Sequence, residues 1–358
     1  MKNATLLTFL SVFTFLGCTK EKIIEIPVPV DKQYRWKVDS NFLYNNSIIS
    51  NSFATENELY LYGKYFSVLT YDKNSKKKVE NYTLRGEPNN NYKMPIGSSF
   101  FINTYQSTII FTPNSEPVTG GEFYYRFGNV NPNLTNILAF PSYEFGQCMA
   151  INNKNQALIP YTSYDPITNL SKNSFSFLLA NINVTNDGYR VGVNKIQTIT
   201  IDDEGPYISN LFSHKDYFIA YLRGASYKIY SDGKVKTTAS GTVLKKICLK
   251  GDTLYAFSPN GNIFRSTNDA EDWVKLGTGN SNLASFQYYL INNEVIGTYF
   301  SQLFHLKIDG TNITIKELDN DGLVTRYITS VSKFKDKVFV TTLAGVYIVD
   351  FKTFFKYK

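Results

Sequence analysis

Tyrosines, an asparagine and several acids recur in stretches of this chain that could contact a ligand. Aromatic rings bring a large contact area at low entropic cost, and neighbouring amide or carboxyl groups can hydrogen-bond a sugar or a peptide backbone. The candidate ligand-binding residues are Tyr92, Tyr161, Tyr164, Asp165, Asn169, Asp203, Glu204 and Tyr207. Tyrosine and asparagine are common throughout the chain, so unspecialised loops are the alternative interpretation of the same stretches.

Few residues could hold a metal ion or drive catalysis. The two histidines, His214 and His305, do not stand at the spacing of a zinc site. The acidic run 202–204 could offer oxygens to calcium, but it lacks the alternating ligands of a calcium loop, and a solvated turn is favoured. There is no Ser-His-Asp order, P-loop or dinucleotide fingerprint. We therefore predict no metal and no cofactor, and we assign no catalytic residue.

The composition predicts a globular β protein. The chain has 358 residues, of which 43% are hydrophobic, 16% aromatic and 19% charged, and this balance excludes disorder. The net charge of +7 comes from scattered lysines, whereas a nucleic-acid partner would require them on one face. No nucleic-acid partner is expected. Cys148 and Cys248 could form a disulfide, but two buried thiols are the favoured interpretation.

A strand-forming unit recurs along the chain at about 45 residues. Its clearest copy, residues 242–277, contains four short apolar segments separated by turns rich in Gly, Asn, Asp and Pro. The second segment recurs seven times, starting at residues 58, 108, 156, 216, 253, 294 and 337. Four strands per repeat predict an all-β, seven-bladed β-propeller with four-stranded antiparallel blades.

The N-terminal strand is expected to close this propeller. Residues 34–38 form a strand that precedes the first repeat, and the last repeat lacks a full fourth strand. We predict that the N-terminal strand supplies the outer strand of the last blade, which would hide two sheet edges.

Loop lengths predict where a ligand would bind. Connections from the second to the third strand, and from one blade to the next, emerge on one face of a propeller. The long ones are residues 85–97, 112–121 and 161–174, and the acidic connection at 202–206 joins them above blades two to four. These connections carry the candidate ligand-binding residues.

Residues 266–273 resemble the Asp-box of sialidase-type (BNR) propellers, Ser-x-Asp-x-Gly-x-Thr-Trp. Ser266 and Trp273 match the box, while Asn268 stands at its Asp position and Ala270 at its Gly position. The resemblance implies a structural turn between the third and fourth strands, with the Trp packed between blades. It does not imply sialidase activity, because the Arg-Ile-Pro motif is absent and the seven arginines are spread singly.

The first residues predict export. A basic start and a short apolar run over residues 6–16 are typical of a signal peptide and too short for a lasting membrane span. Residues 15–18, Phe-Leu-Gly-Cys, resemble the lipobox of bacterial lipoproteins, in which the cysteine receives lipid. The resemblance implies a signal peptide over 1–17, lipidated Cys18 with an extended tether over 18–33, and a domain over 34–358. It also implies an outer membrane lipoprotein of the cell envelope; the alternative is an ordinary signal peptide.

The predicted function is a lipid-anchored binding or interaction module whose ligand is a glycan or an envelope protein. The alternative is a glycan-active hydrolase or lyase that uses acids on the same propeller face. A third hypothesis is a structural subunit of an envelope complex. A cleft with paired carboxylates would favour the enzyme, and a flat aromatic face would favour binding.

Overall fold

The computed structural model describes residues 34–39, 49–54, 56–63, 65–71, 77–83, 100–105, 108–113, 123–126, 150–161, 175–184, 191–201, 208–222, 225–240, 244–325 and 327–358. Residues Arg35–Lys358 belong to one compact unit. The predictions for the signal peptide, for Cys18 and for the tether lie outside the described residues. Among the described residues, no helix is both long and apolar enough to span a bilayer.

The strands form seven antiparallel sheets, which we number along the chain. Sheet 1 contains β2 (Ile49–Ala54), β3 (Glu58–Gly63), β4 (Tyr65–Tyr71) and β5 (Lys77–Thr83). Sheet 2 contains β6 (Phe100–Tyr105), β7 (Thr108–Pro113) and β8 (Phe123–Arg126). Sheet 3 contains β9 (Ala150–Ile151), β10 (Gln156–Tyr161), β11 (Phe175–Val184) and β12 (Val191–Ile201). Sheet 4 contains β13 (Ile208–His214), β14 (Tyr217–Leu222), β15 (Ala225–Tyr230) and β16 (Val235–Ser240).

The remaining sheets follow the same hairpin order. Sheet 5 contains β17 (Lys246–Lys250), β18 (Thr253–Phe257), β19 (Asn262–Ser266) and β20 (Val274–Thr278). Sheet 6 contains β21 (Gln287–Ile291), β22 (Glu294–Tyr299), β23 (Gln302–Asp309) and β24 (Asn312–Glu317). Sheet 7 contains β25 (Ile328–Phe334), β26 (Lys337–Thr342), β27 (Gly345–Asp350) and β1 (Lys37–Val38). A 3₁₀ helix (Ser281–Ser285) precedes sheet 6, and a short helix α1 (Phe351–Phe354) follows sheet 7.

In sheets 4 and 7 the second strand is enclosed on both of its faces. All six residues of β14 are buried, and β26 is buried from Val338 to its end. A strand covered on both faces gains free energy from apolar side chains at every position, so its sequence does not alternate. This burial explains why the recurring second segment stood out in the sequence.

The apolar core lies between successive sheets. Buried clusters join sheet 3 to sheet 4, sheet 4 to sheet 5, sheet 5 to sheet 6 and sheet 6 to sheet 7. Sheet 7 also packs against sheet 1, where Phe334 and Phe339 meet Leu59 and Leu61. Burying one such phenylalanine contributes roughly 2–3 kcal/mol. Sheets 3 to 7 thus stack face to face in chain order and sheet 7 packs on sheet 1, which is the packing of β-propeller blades.

The N-terminal strand completes sheet 7, as the sequence predicted. Lys37 pairs with Ile348 and Val38 with Tyr347 in the antiparallel ladder between β1 and β27. Trp36, which is 2% exposed, enters the cluster between sheets 6 and 7. The edge of β27 is therefore covered rather than open to another chain.

The C-terminal residues 351–358 form a segment that the sequence did not predict, which we call the C-terminal strap. Phe354 of α1 is fully buried against Trp36, with 6.2 Å between ring centroids. The Arg35 guanidinium donates hydrogen bonds to the carbonyls of Asp319, Thr353 and Phe354. Arg35 and Trp36 are thus held against the C-terminal strap beside the residues that follow β24.

Candidate interaction surface

Phe300 stands at the tip of the hairpin between β22 and β23 in an unusual backbone conformation. Tyr299 pairs with Gln302, so the connection has two residues, and Phe300 has a φ of +51°. The left-handed region suits Gly, Asn or Asp at such a tip, and a bulky residue there is an outlier. At the corresponding connection of sheet 5 the chain places Gly261, with a φ of +76°.

The Phe300 side chain is also largely in solvent, since it is 56% exposed. Neither backbone preference nor burial therefore accounts for an aromatic residue at this position. Residues that keep an unfavourable conformation concentrate at functional sites. Phe300 is accordingly the centre of our candidate surface.

Tyr327 contacts Phe300, Leu343 is hydrogen-bonded to Tyr327, and the exposed Val324 lies three residues before Tyr327 in the same connection. Tyr327 meets Phe300 edge to face at 6.1 Å between centroids, and the Leu343 amide donates to the Tyr327 carbonyl at 3.4 Å. Val324 is 75% exposed, and its carbonyl accepts a 2.7 Å hydrogen bond from the Tyr347 hydroxyl. We call Phe300, Val324, Tyr327 and Leu343 the apical patch.

The apical patch rests on a row of rings inside sheet 6. Tyr299 lies 4.6 Å from Phe300, Phe286 lies 6.0 Å from Tyr299, and Phe286 stacks on Phe304 at 4.8 Å. Packed aromatic rings hold one another in place and add about 0.5–1.5 kcal/mol per pair. The exposed ring of Phe300 is therefore presented from a firm support.

The chemistry of the apical patch is that of contact rather than of reaction. None of its four side chains carries a charge, and Phe300, Val324 and Leu343 are exposed large apolar side chains of the kind that interaction sites use. Over the part of the chain that the structure describes, no group of three His, Cys, Asp or Glu residues is placed to hold a metal ion.

The turn that resembles an Asp-box joins β19 to β20. Asn268 Oδ1 accepts hydrogen bonds from the Ser266 hydroxyl at 2.9 Å and from the Asp272 amide at 3.2 Å. The Ala270 amide donates to Ser266 Oγ at 3.0 Å, and Ala270 itself is buried with a φ of +63°. Trp273 packs against the cluster between sheets 4 and 5. These polar side chains hold the turn together.

Glu271, in the same turn, ties sheet 5 to sheet 4. Its carboxylate accepts hydrogen bonds from Lys228 at 2.5 Å, from Lys236 at 2.6 Å and from the Tyr230 hydroxyl at 2.8 Å. These hydrogen bonds lower the pKa of Glu271 to about 2, and those from Lys228 and Lys236 have the largest effect. Lys228 is buried, and its ammonium lies 4.2 Å from the ring centroid of Tyr217. This cluster of hydrogen bonds and ion pairs links sheet 4 to sheet 5 and has a structural role.

The ligand-binding residues predicted from loop lengths are not brought together by any described element. Tyr161 is the last residue of β10 and pairs with Ser176 in the ladder to β11. The other seven candidates, Tyr92, Tyr164, Asp165, Asn169, Asp203, Glu204 and Tyr207, lie outside the described residues. That surface stays a prediction.

The apical patch is not apparent from the sequence, because its residues lie in short connections. A detectable signal was present, since an aromatic residue occupies a two-residue hairpin where Gly or Asn is expected. The free thiol of Cys248 is buried, as the sequence favoured, and burial raises its pKa. Cys148 lies outside the described residues.

Comparisons with known proteins bear on the fold. No protein-family model matches the chain, and no curated protein matches it. The WD40 β-propeller domain of Doa1 is similar at 9% identity with a TM-score of 0.50, over 88% of this chain and 96% of that one. U3-55K is similar at 10% identity with a TM-score of 0.51, over 88% of this chain and 100% of that one. Together with the sheet packing, these likenesses show that the chain has the fold of a β-propeller.

Proposed function

We propose that this protein is an interaction module of the cell envelope whose apical patch contacts a protein partner. The main support for this proposal is Phe300, a bulky aromatic residue that is 56% exposed and has a φ of +51°. Exposed aromatic anchors contribute a large share of binding free energy at protein interfaces. The exposed aliphatic side chains of Val324 and Leu343 suit apolar side chains of a protein better than sugar hydroxyls.

A glycan is the second ligand class, and it belongs to the predicted surface above blades two to four. The seven sheets are, in this proposal, seven blades closed by β1, and the long connections between residues 85 and 206 form one sector of the same face. Tyr161 and Tyr164 would supply stacking surfaces there. A glycan array with the wild type and a Tyr161→Ala/Tyr164→Ala variant tests this surface. Glycan binding that the double variant retains would contradict it.

Lipid on Cys18 would hold the module at the outer membrane. The support is the sequence of residues 15–18 and the extended proline-containing segment that follows. Metabolic labelling with an alkyne fatty acid should mark the wild type and spare a Cys18→Ser variant. Equal labelling of the two would exclude this anchor.

The turn over residues 266–273 is, in our proposal, a degenerate Asp-box with an architectural role. Its support is the set of hydrogen bonds around Asn268 and the packing of Trp273. No sialidase activity is inferred from it.

Site-specific photocrosslinking in living cells tests the protein-binding proposal. A photoreactive phenylalanine analogue at position 300 or 343 should capture the same partner, whereas position 274 is the control. Val274 is 58% exposed but lies in β20, outside the patch. Overproduced untagged wild type should compete for the partner and abolish crosslinking from position 300. Overproduced untagged Phe300→Asn should not compete, and crosslinking should remain. Equal capture at all three positions would contradict the proposal.

A further inference from the structure

His305, Glu294 and Tyr357 form a hydrogen-bonded chain in the outer part of sheet 6. His305 Nδ1 lies 2.9 Å from the Tyr357 hydroxyl, and His305 Nε2 lies 3.0 Å from Glu294 Oε2. The two histidine contacts are within the reach expected of a nucleophile, a base and a group that orients the base. Neither the apical patch nor the cluster at Glu271 uses these residues.

The charge of Glu294 determines which group donates in each hydrogen bond of His305. Burial raises the pKa of Glu294, but the hydrogen bond from His305 and the charge of Lys250 outweigh burial, and the pKa is lowered overall. An ionised carboxylate can only accept, so His305 Nε2 carries the ring proton toward Glu294. In the neutral ring, Nδ1 is then the acceptor, and the Tyr357 hydroxyl donates to it. The phenol therefore has a base aligned with its proton.

The strap holds this arrangement in place. His305 is 4% exposed, and the Phe355 ring covers the imidazole at 4.9 Å between centroids. The backbone of Tyr357 forms a β-bridge with Leu318, and the Asp319 amide donates to the Lys356 carbonyl at 2.8 Å. A base and a nucleophile on fixed elements are preorganised for proton transfer.

Two lysines place positive charge beside the phenol. Lys307 Nζ lies 5.5 Å and Lys316 Nζ lies 5.0 Å from the centroid of the Tyr357 ring, and both lysines are exposed. Their charges favour negative charge as it develops on the phenolic oxygen. They also favour an acyl donor that carries a negative charge.

We propose that Tyr357 is an acyl-accepting nucleophile with His305 as its base and Glu294 as a positioning residue. The Tyr357 oxygen attacks the carbonyl carbon of an activated ester, and its proton passes to His305 Nδ1. The bond to the leaving alkoxide or phenoxide breaks, and His305 returns the proton to it. The products are an aryl ester on Tyr357 and a free alcohol or phenol, so the step needs no other reactant. This activity is independent of the proposed interaction function.

Treatment of the full-length protein with 4-nitrophenyl acetate tests this proposal. Peptide mass spectrometry follows acetylation at Tyr357 and, as an internal reference, at the exposed Tyr34. At pH 7.5 we expect Tyr357 to react at least tenfold faster than Tyr34. His305→Gln should remove that excess, and Glu294→Gln should reduce it several-fold.

Further measurements separate reactivity from a purely structural role. In His305→Gln the phenol has lost its base, so the acetylation rate at Tyr357 should rise steeply with pH, because only the ionised phenol then attacks. The wild-type rate should depend far less on pH. In His305→Ala, added imidazole should restore acetylation at Tyr357 relative to Tyr34 in the same sample. Equal rates at Tyr357 and Tyr34 in the wild type would overturn the proposal, as would undiminished labelling of folded His305→Gln.

Discussion

The carbonyl of Phe300, at a hairpin tip of sheet 6, accepts a 2.7 Å hydrogen bond from the amide of Ile328, the first residue of β25 in sheet 7. This contact fixes the tip of one sheet to the entry strand of the next. An exposed side chain on a fixed backbone loses little entropy when a partner binds. The packing of sheet 6 on sheet 7 therefore fixes the backbone from which Phe300 of the apical patch is exposed.

Replacing Phe300 by Asn should leave stability within about 1 kcal/mol of the wild type. Asn tolerates a positive φ, and this relief offsets the loss of ring contacts with Tyr299 and Tyr327, each worth about 0.5–1.5 kcal/mol. Urea unfolding measures the change, with Phe286→Ala as the comparison. Phe286 is 3% exposed, so its loss should cost about 3–5 kcal/mol. A comparable loss in both variants would show that Phe300 serves stability.

Replacing Asn268 by Ala should destabilise the protein by about 1–2 kcal/mol. The substitution removes the acceptor for the Ser266 hydroxyl and the Asp272 amide, and it removes the donor to Asp272 Oδ2. Thermal or urea unfolding measures the loss. Thr267→Ala, an exposed change in the same turn, should have little effect and serves as the control. Equal behaviour of the two variants would mean that the turn does not depend on Asn268.

Replacing Glu271 by Gln should cost about 2 kcal/mol at pH 7, because the buried ammonium of Lys228 loses its charged partner. The lowered pKa of Glu271, about 2, makes this stabilisation pH-dependent. A carboxyl with a lowered folded pKa stabilises fully above its unfolded pKa, near 4.5, and loses that effect as the pH falls toward 2.

The stability difference between the wild type and Glu271→Gln should therefore shrink between about pH 4.5 and pH 2. Urea unfolding over this range provides the measurement. Asp232→Asn, which breaks the exposed pair with Lys234, is the control, and at pH 7 it should change stability far less than Glu271→Gln does. A difference that stays constant with pH would contradict the charge-based explanation.

Replacing Trp36 by Ala should cost about 3–5 kcal/mol, because a fully buried indole is removed from the cluster between sheets 6 and 7. Loss of this anchor should also free β1 and expose the edge of β27. Hydrogen exchange should show faster exchange in β27 and in α1, whereas β14 of sheet 4 should keep its protection. Unchanged exchange in β27 would show that β1 does not depend on Trp36.

The sequence by itself determined the strand content, the repeat and the role of the first strand. The apolar second strands of sheets 4 and 7 are recognisable in the sequence because they are buried on both faces, and residues 34–38 precede the first repeat without a blade of their own. Turn residues such as Gly251, with a φ of +58°, marked the hairpins because only a few residue types tolerate that backbone region. Local patterns of this kind do not depend on distant contacts.

Only the tertiary structure decided which distant residues meet. The apical patch combines Phe300 with Tyr327 and Leu343, and the strap brings Tyr357 to His305, 52 residues away in sequence. Side chains that meet across two sheets leave no periodic pattern in the sequence, because their distance depends on how the sheets pack. Phe300 could be suspected from its hairpin position, but its exposure and its neighbours are properties of the packed sheets alone.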